Sequence, residues 1–111
     1  MSWDIEIKHA PCVTCAHTSE GDHINLTYNL SPMLRAADPD FSWGSFHGEC
    51  ARSVGIKILN LLNKMDETPD KWRKMNPVNG WGTYDDCLQG RLREWALTAS
   101  KSPLTSTVTI T

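Results

Sequence analysis

Two hydrophobic periods divide this chain and limit what it can fold into. Trp3, Ile5 and Ile7 alternate with Asp4, Glu6 and Lys8. A period of two marks a half-buried strand, because successive side chains point to opposite faces. At the far end Val108 and Ile110 alternate with Thr107, Thr109 and Thr111 in the same manner. The middle follows a different period: Cys50, Val54, Ile58, Leu61 and Met65 fall on one helical face, widened by Leu59 and Leu62. Strands at both ends and helix between them predict an α+β protein whose ends share one sheet.

The remaining elements follow from local signals. Ile24, Leu26 and Tyr28 alternate with Asn25, Thr27 and Asn29, which predicts a second strand paired to the first as a hairpin. The core helix is expected over about residues 49–65. Thr68-Pro69 opens a short helix that Asn76-Pro77 ends, since the residue before proline is pushed out of the α region. Thr83 with Asp86 forms a capping box with Asp in place of Glu, and Leu88, Leu92, Trp95 and Ala99 give the following helix its apolar face. Gly90 lies inside that helix at a cost of about 1 kcal/mol relative to Ala. Ala37 to Gly48 carries the Asp, Pro and Gly of a surface loop. The expected order is ββαααβ, a small three-stranded sheet with helices packed on one face.

With 111 residues the chain fits a single domain, residues 1–111, able to bury roughly two thirds of its unfolded surface. A hydrophobic content of 40% and five Trp exclude disorder as a description of the whole. Eleven Lys and Arg against 13 Asp and Glu, with no basic run, disfavour a phosphate-tracking nucleic-acid binder. No apolar window is long enough for a membrane span or a signal peptide, so a cytoplasmic protein is expected. Asn25-Leu26-Thr27 is then an idle glycosylation match.

Cys12-Val13-Thr14-Cys15 can present two sulfurs to one cation, and His17 and His23 are near enough in sequence to complete a tetrahedral zinc shell. His47 and Cys50 form a second candidate half-site. The same pattern equally fits two reduced cysteines in a hairpin loop with surface histidines. A redox pair is disfavoured because it should open a helix, whereas this one leads into a strand. Cys50 and Cys87 fall in predicted helices, where cysteine is usually a small apolar residue.

Two Asn-rich motifs stand out. Asn25, Thr27 and Asn29 form a polar row on the second strand, and Ser31-Pro32 beyond it reads as a helix N-cap with proline at the first helical position. The second motif is Asn76-Pro77-Val78-Asn79-Gly80-Trp81-Gly82-Thr83-Tyr84, whose glycines permit close backbone approach and whose Trp81 and Tyr84 offer flat faces for stacking. Such a segment can grip a base or a sugar. It can also be a turn whose Trp plugs the core.

The combination N-x-T-x-N-x-x-P-M, a mid-chain core helix and N-P-x-N-G-W-G-x-Y resembles a family of small uncharacterised proteins encoded by bacteriophages and prophages, over about residues 5–110. Cys12 and Cys15 match that family's cysteine pair, with Val13-Thr14 and Ala16 in place of its usual Pro-x and Gly, and Tyr28 stands where His is often expected. The resemblance implies a phage-related origin and a shared fold. It also places the protein in the cytoplasm of a host bacterium.

The function expected first is a non-enzymatic binding module, a counter-defence or host-takeover protein that engages a host protein or sequesters a small polar, nucleotide-like ligand. Asn25, Thr27, Asn29, Arg35, Asn79, Trp81 and Tyr84 are the expected contacts. A second reading is a structural or interaction protein stabilised by a zinc knuckle. A third is a small enzyme using His47, Glu49 and Cys50, although no P-loop, dinucleotide fingerprint or hydrolase motif accompanies them.

Overall fold

The computed structural model describes residues 2–8, 23–76 and 82–111. Strands β1 (Ser2–Lys8), β2 (His23–Thr27) and β3 (Thr107–Ile110) form one antiparallel sheet in the order β2-β1-β3. Trp3 lies opposite Leu26, and Ile5 opposite both Ile24 and Ile110. The alternation read in the sequence is realised: Ile5, Ile7, Leu26, Val108 and Ile110 are buried against the helices, while Glu6, Lys8 and Asn25 face solvent.

The outer edge of β3 is closed by the segment leading into the core helix. Gly48 donates to the carbonyl of Val108 at 2.7 Å, and Val108 donates back to that of Glu49 at 2.9 Å. Gly48 makes this approach with φ of +80°. Two residues further along β3, Ile110 N–H donates to Nδ1 of His47 at 3.1 Å, so an imidazole takes the place of a backbone carbonyl.

Between β2 and the core helix the structure departs from expectation. Tyr28 does not extend the strand: Tyr28–Leu30 is a 3₁₀ turn, and α1 (Ser31–Ala37) follows it directly. Leu26, Leu30, Met33 and Leu34 are all buried at helical spacing, which outweighs the strand alternation through Tyr28. Ser31 is accordingly the first helical residue and not the cap. Leu30 occupies the cap position, with no side-chain hydrogen bond. A second 3₁₀ turn, Trp43–Phe46, interrupts the expected loop.

Helix α2 (Ala51–Met65) is the core helix, with Ala51, Val54, Gly55, Ile58, Leu62 and Met65 buried. Cys50 precedes it as the cap residue and is half-buried, not a member of the helical stripe. Helix α3 (Pro69–Arg73) begins at proline as predicted and buries Trp72, whose indole N–H donates to the carbonyl of Met65 at 2.8 Å.

The last helical stretch has two parts, a π-helical segment (Tyr84–Leu92) and α4 (Arg93–Ser100). Thr83 caps the first, its hydroxyl accepting from Asp86 N–H at 3.3 Å. The predicted apolar face holds across both parts, since Leu88, Leu92, Trp95 and Ala99 are all buried. Arg73 ties α3 to the π-helical segment through both carboxylate oxygens of Asp85, at 3.0 Å or slightly more.

That ion pair holds the Asp85 carboxyl below the usual aspartate range, chiefly through the Arg73 hydrogen bond. A carboxylate whose folded value is depressed adds stability above its unfolded value, near 3.9, and loses it as pH falls through the lower folded value. Melting temperature should therefore hold between pH 7 and 5 and fall below about 4. In the Asp85→Asn variant it should be lower by a few degrees at neutral pH and fall less in acid. Parallel acid slopes in thermal melts of the two proteins would exclude this role for Asp85.

Candidate functional site

The stretch after α1 contains three aromatics in six residues, 41–46. Helix α1 ends where Asp38 N–H donates to the carbonyl of Leu34 at 2.9 Å, and the Asp38 side chain turns the chain by accepting from Asp40 N–H at 3.1 Å. The turn delivers Phe41, Trp43 and Phe46 to one cluster, with ring centroids 5.0 to 6.0 Å apart and planes near perpendicular. Trp43 is buried and anchors the loop, while Phe41 and Phe46 stay half-exposed.

Two cavities flank this cluster. A groove of about 530 Å³ lies between the loop and the exposed side of α2. Phe41, Phe46, Ile58 and Leu61 form its apolar floor, Asp38, Asp40, Ser42 and Ser45 one wall, and Lys57, Asn60 and Lys64 the other. Lys57 and Lys64 are seven residues apart and so project along one helix face. Lys57 is only loosely engaged, 4.0 Å from Glu49. The second cavity, about 230 Å³, lies behind Phe41 and Ser42 and is completed by Trp3, Ser31, Arg35 and Trp43.

The expected contact residues are dispersed, and most have local roles. Asn25 lies on the solvent face of the sheet and donates to Ser2 Oγ at 2.7 Å and to Asp4 at 3.0 Å. Thr27 Oγ accepts from Asn29 N–H at 3.3 Å, starting the 3₁₀ turn, so Asn29 leaves the polar row expected on β2. Tyr84 is corrected most sharply. Its ring is fully enclosed in the core, its hydroxyl accepts from Gln89 at 2.7 Å, and it offers no face to a ligand. Burial pushes its phenol above the usual range. Asn79 and Trp81 lie outside the described residues. Of the described members of the set, Arg35 alone lines one of these two cavities.

Of the expected metal ligands, Cys12, Cys15 and His17 also lie outside the described residues. His23 is exposed on β2, with Nε2 3.0 Å from Asp4 Oδ1. The Asn25 amide and then His23 hold the Asp4 carboxyl below its usual range. Among the described residues no group of three or more metal-ligating side chains converges. His47 already uses Nδ1 at the sheet edge, and the Cys50 thiol donates to the Leu104 carbonyl at 3.7 Å. The backbone N–H groups of Ser53 and Arg52 at the start of α2 draw the Cys50 thiol below its usual range, the Ser53 contact counting most.

Reading the sequence did not single out the groove. Its signal was present in Phe41, Trp43 and Phe46, three large aromatics inside a stretch otherwise rich in turn formers. Fold and cavities together define an α+β domain with two pockets built on one aromatic loop. Compared with models of protein families, with curated proteins and with solved structures, the chain matches none. Among the described residues, no helix is long and apolar enough to cross a membrane.

Proposed function

We propose that the protein is a non-enzymatic binding module that sequesters a small polar, nucleotide-like ligand, acting in a bacterial host as the phage-like motifs suggest. The observation that carries the reading is the groove between the aromatic loop and α2. Its volume of about 530 Å³ lies within the range of small-ligand sites. Phe41 and Phe46 supply aromatic surface for a base, Lys57 and Lys64 supply positive charge for a phosphate, and Asp38 and Asp40 accept from amino groups. A groove with both charges on opposite walls favours a ligand that carries both donors and an anion.

Thermal shift and calorimetry with mononucleotides test this. A ligand at 100 times its Kd stabilises the folded state by about 2.7 kcal/mol, a rise of roughly 10–20 °C in a domain of this size. Lys64→Ala, at an exposed position, should leave the unliganded melting temperature within a few degrees and weaken binding at least tenfold. Absence of any saturable shift across the nucleotides, or equal binding by Lys64→Ala and Lys57→Ala, would refute the reading.

A further inference from the structure

The smaller cavity differs from the groove in its charge. Among the described residues Arg35 is its only charged lining residue; the others are Trp3, Ser31, Phe41, Ser42 and Trp43. Ser31 and Arg35 are four residues apart on α1 and so share one helix face. The opposite wall is the aromatic loop.

Three other arginines are committed. Arg52 donates to the Ser102 carbonyl, Arg73 to Asp85 and Asp70, and Arg93 to Gln89 and Asn63. Arg35 is exposed and makes no hydrogen bond or ion pair among the described residues. Its guanidinium thus stands beside an aromatic cavity and meets no anion among the described residues. Trp3 contributes a wall but not a donor, because its indole N–H is enclosed, without a partner among the described residues.

We infer that the cavity behind Phe41 is a binding site for a monocarboxylate carried on a small planar apolar body, with Arg35 as its anion-binding residue. A guanidinium presents two parallel N–H groups that match a carboxylate fork. One cation balances one negative charge, so the neutral remainder of the lining favours a monoanion over a phosphate dianion. The walls contributed by Trp3, Phe41 and Trp43 favour a flat apolar body, and a volume of about 230 Å³ limits it to roughly one ring. The site is separate from the groove and does not rest on the nucleotide reading.

Titrating the full chain with benzoate, followed by the indole and backbone signals in ¹H–¹⁵N NMR spectra, tests the assignment. Benzoate should move the Trp3 and Trp43 indole signals saturably. Arg35→Gln should weaken that binding at least tenfold, with an otherwise unchanged spectrum showing that the variant is folded, and Arg35→Lys should fall between the two. Lys64→Ala, in the groove, should bind benzoate as the parent does. Inorganic phosphate should bind at least tenfold more weakly than benzoate. Unsaturable shifts, equal benzoate affinity in Arg35→Gln, or phosphate binding as tightly as benzoate would each overturn the assignment.

Discussion

Gly55→Ala is expected to lower the melting temperature by roughly 5–20 °C, although alanine is the better helix former. Helices α2 and α4 cross at Gly55, and the contact is between backbones. A Cβ there would lie 2.5 Å from the amide nitrogen of Ser100 and 2.6 Å from the carbonyl oxygen of Ala96. It would also lie 2.9 Å from the Cβ of Ala99. Backbone cannot rotate away as a flexible side chain can, so the helices must separate and loosen the packing of Val54, Ile58 and Trp95 around them. The overpacking cost of about 1–3 kcal/mol exceeds the propensity gain of up to about 1 kcal/mol. Thermal melts decide the sign: a rise in melting temperature would mean that the two helices are not in backbone contact.

Deleting residues 105–111 is expected to abolish cooperative unfolding near ambient temperature. The deletion removes the buried side chains of Val108 and Ile110, together worth about 3–6 kcal/mol. It also strips the partners of Asp4, Gly48, Glu49 and Ala51, whose hydrogen bonds to 106–111 span 2.7 to 3.0 Å. The whole stability of a small domain is about 5–15 kcal/mol, so this loss is comparable to all of it. Circular dichroism against temperature reads the outcome. A truncated chain melting cooperatively at the parent temperature would show that β3 contributes nothing to the sheet.

The elements most legible in the sequence were those where one period ran without competition. Ile5 and Ile7 admit only a strand reading, and Val54, Ile58 and Met65 only a helical one, and the structure places both sets in the core. Leu26 to Leu34 satisfies both periods for several residues, and the choice fell to tertiary burial of Leu30, Met33 and Leu34 together. The π-helical turn of Tyr84–Leu92 was not legible, because the widened backbone keeps Leu88 and Leu92 on the face an α-helix would also bury. Tyr84 illustrates the limit for sites: an aromatic beside glycines reads the same whether it stacks on a ligand or fills the core, and only burial separates the two. Gly82 sharpens that case. Its φ of +84° and the 2.4 Å that would separate a Cβ from Thr27 Cγ2 press this end of the motif against β2 as scaffold.

The pairing of Ile5 with Ile110 also governs how the chain is made. A ribosome adding about 5–20 residues per second delivers Ile110 roughly 5–20 s after Ile5. Throughout that interval the central strand has one flank without its neighbour, a row of unmet N–H and C=O groups beside the apolar side chains of Ile5 and Ile7. Such an edge accepts any passing strand, including the same segment of an adjacent nascent chain. Aggregation in this protein should therefore be decided on the polysome, where slowed translation lengthens the exposure and a chaperone held at the exit tunnel shortens it.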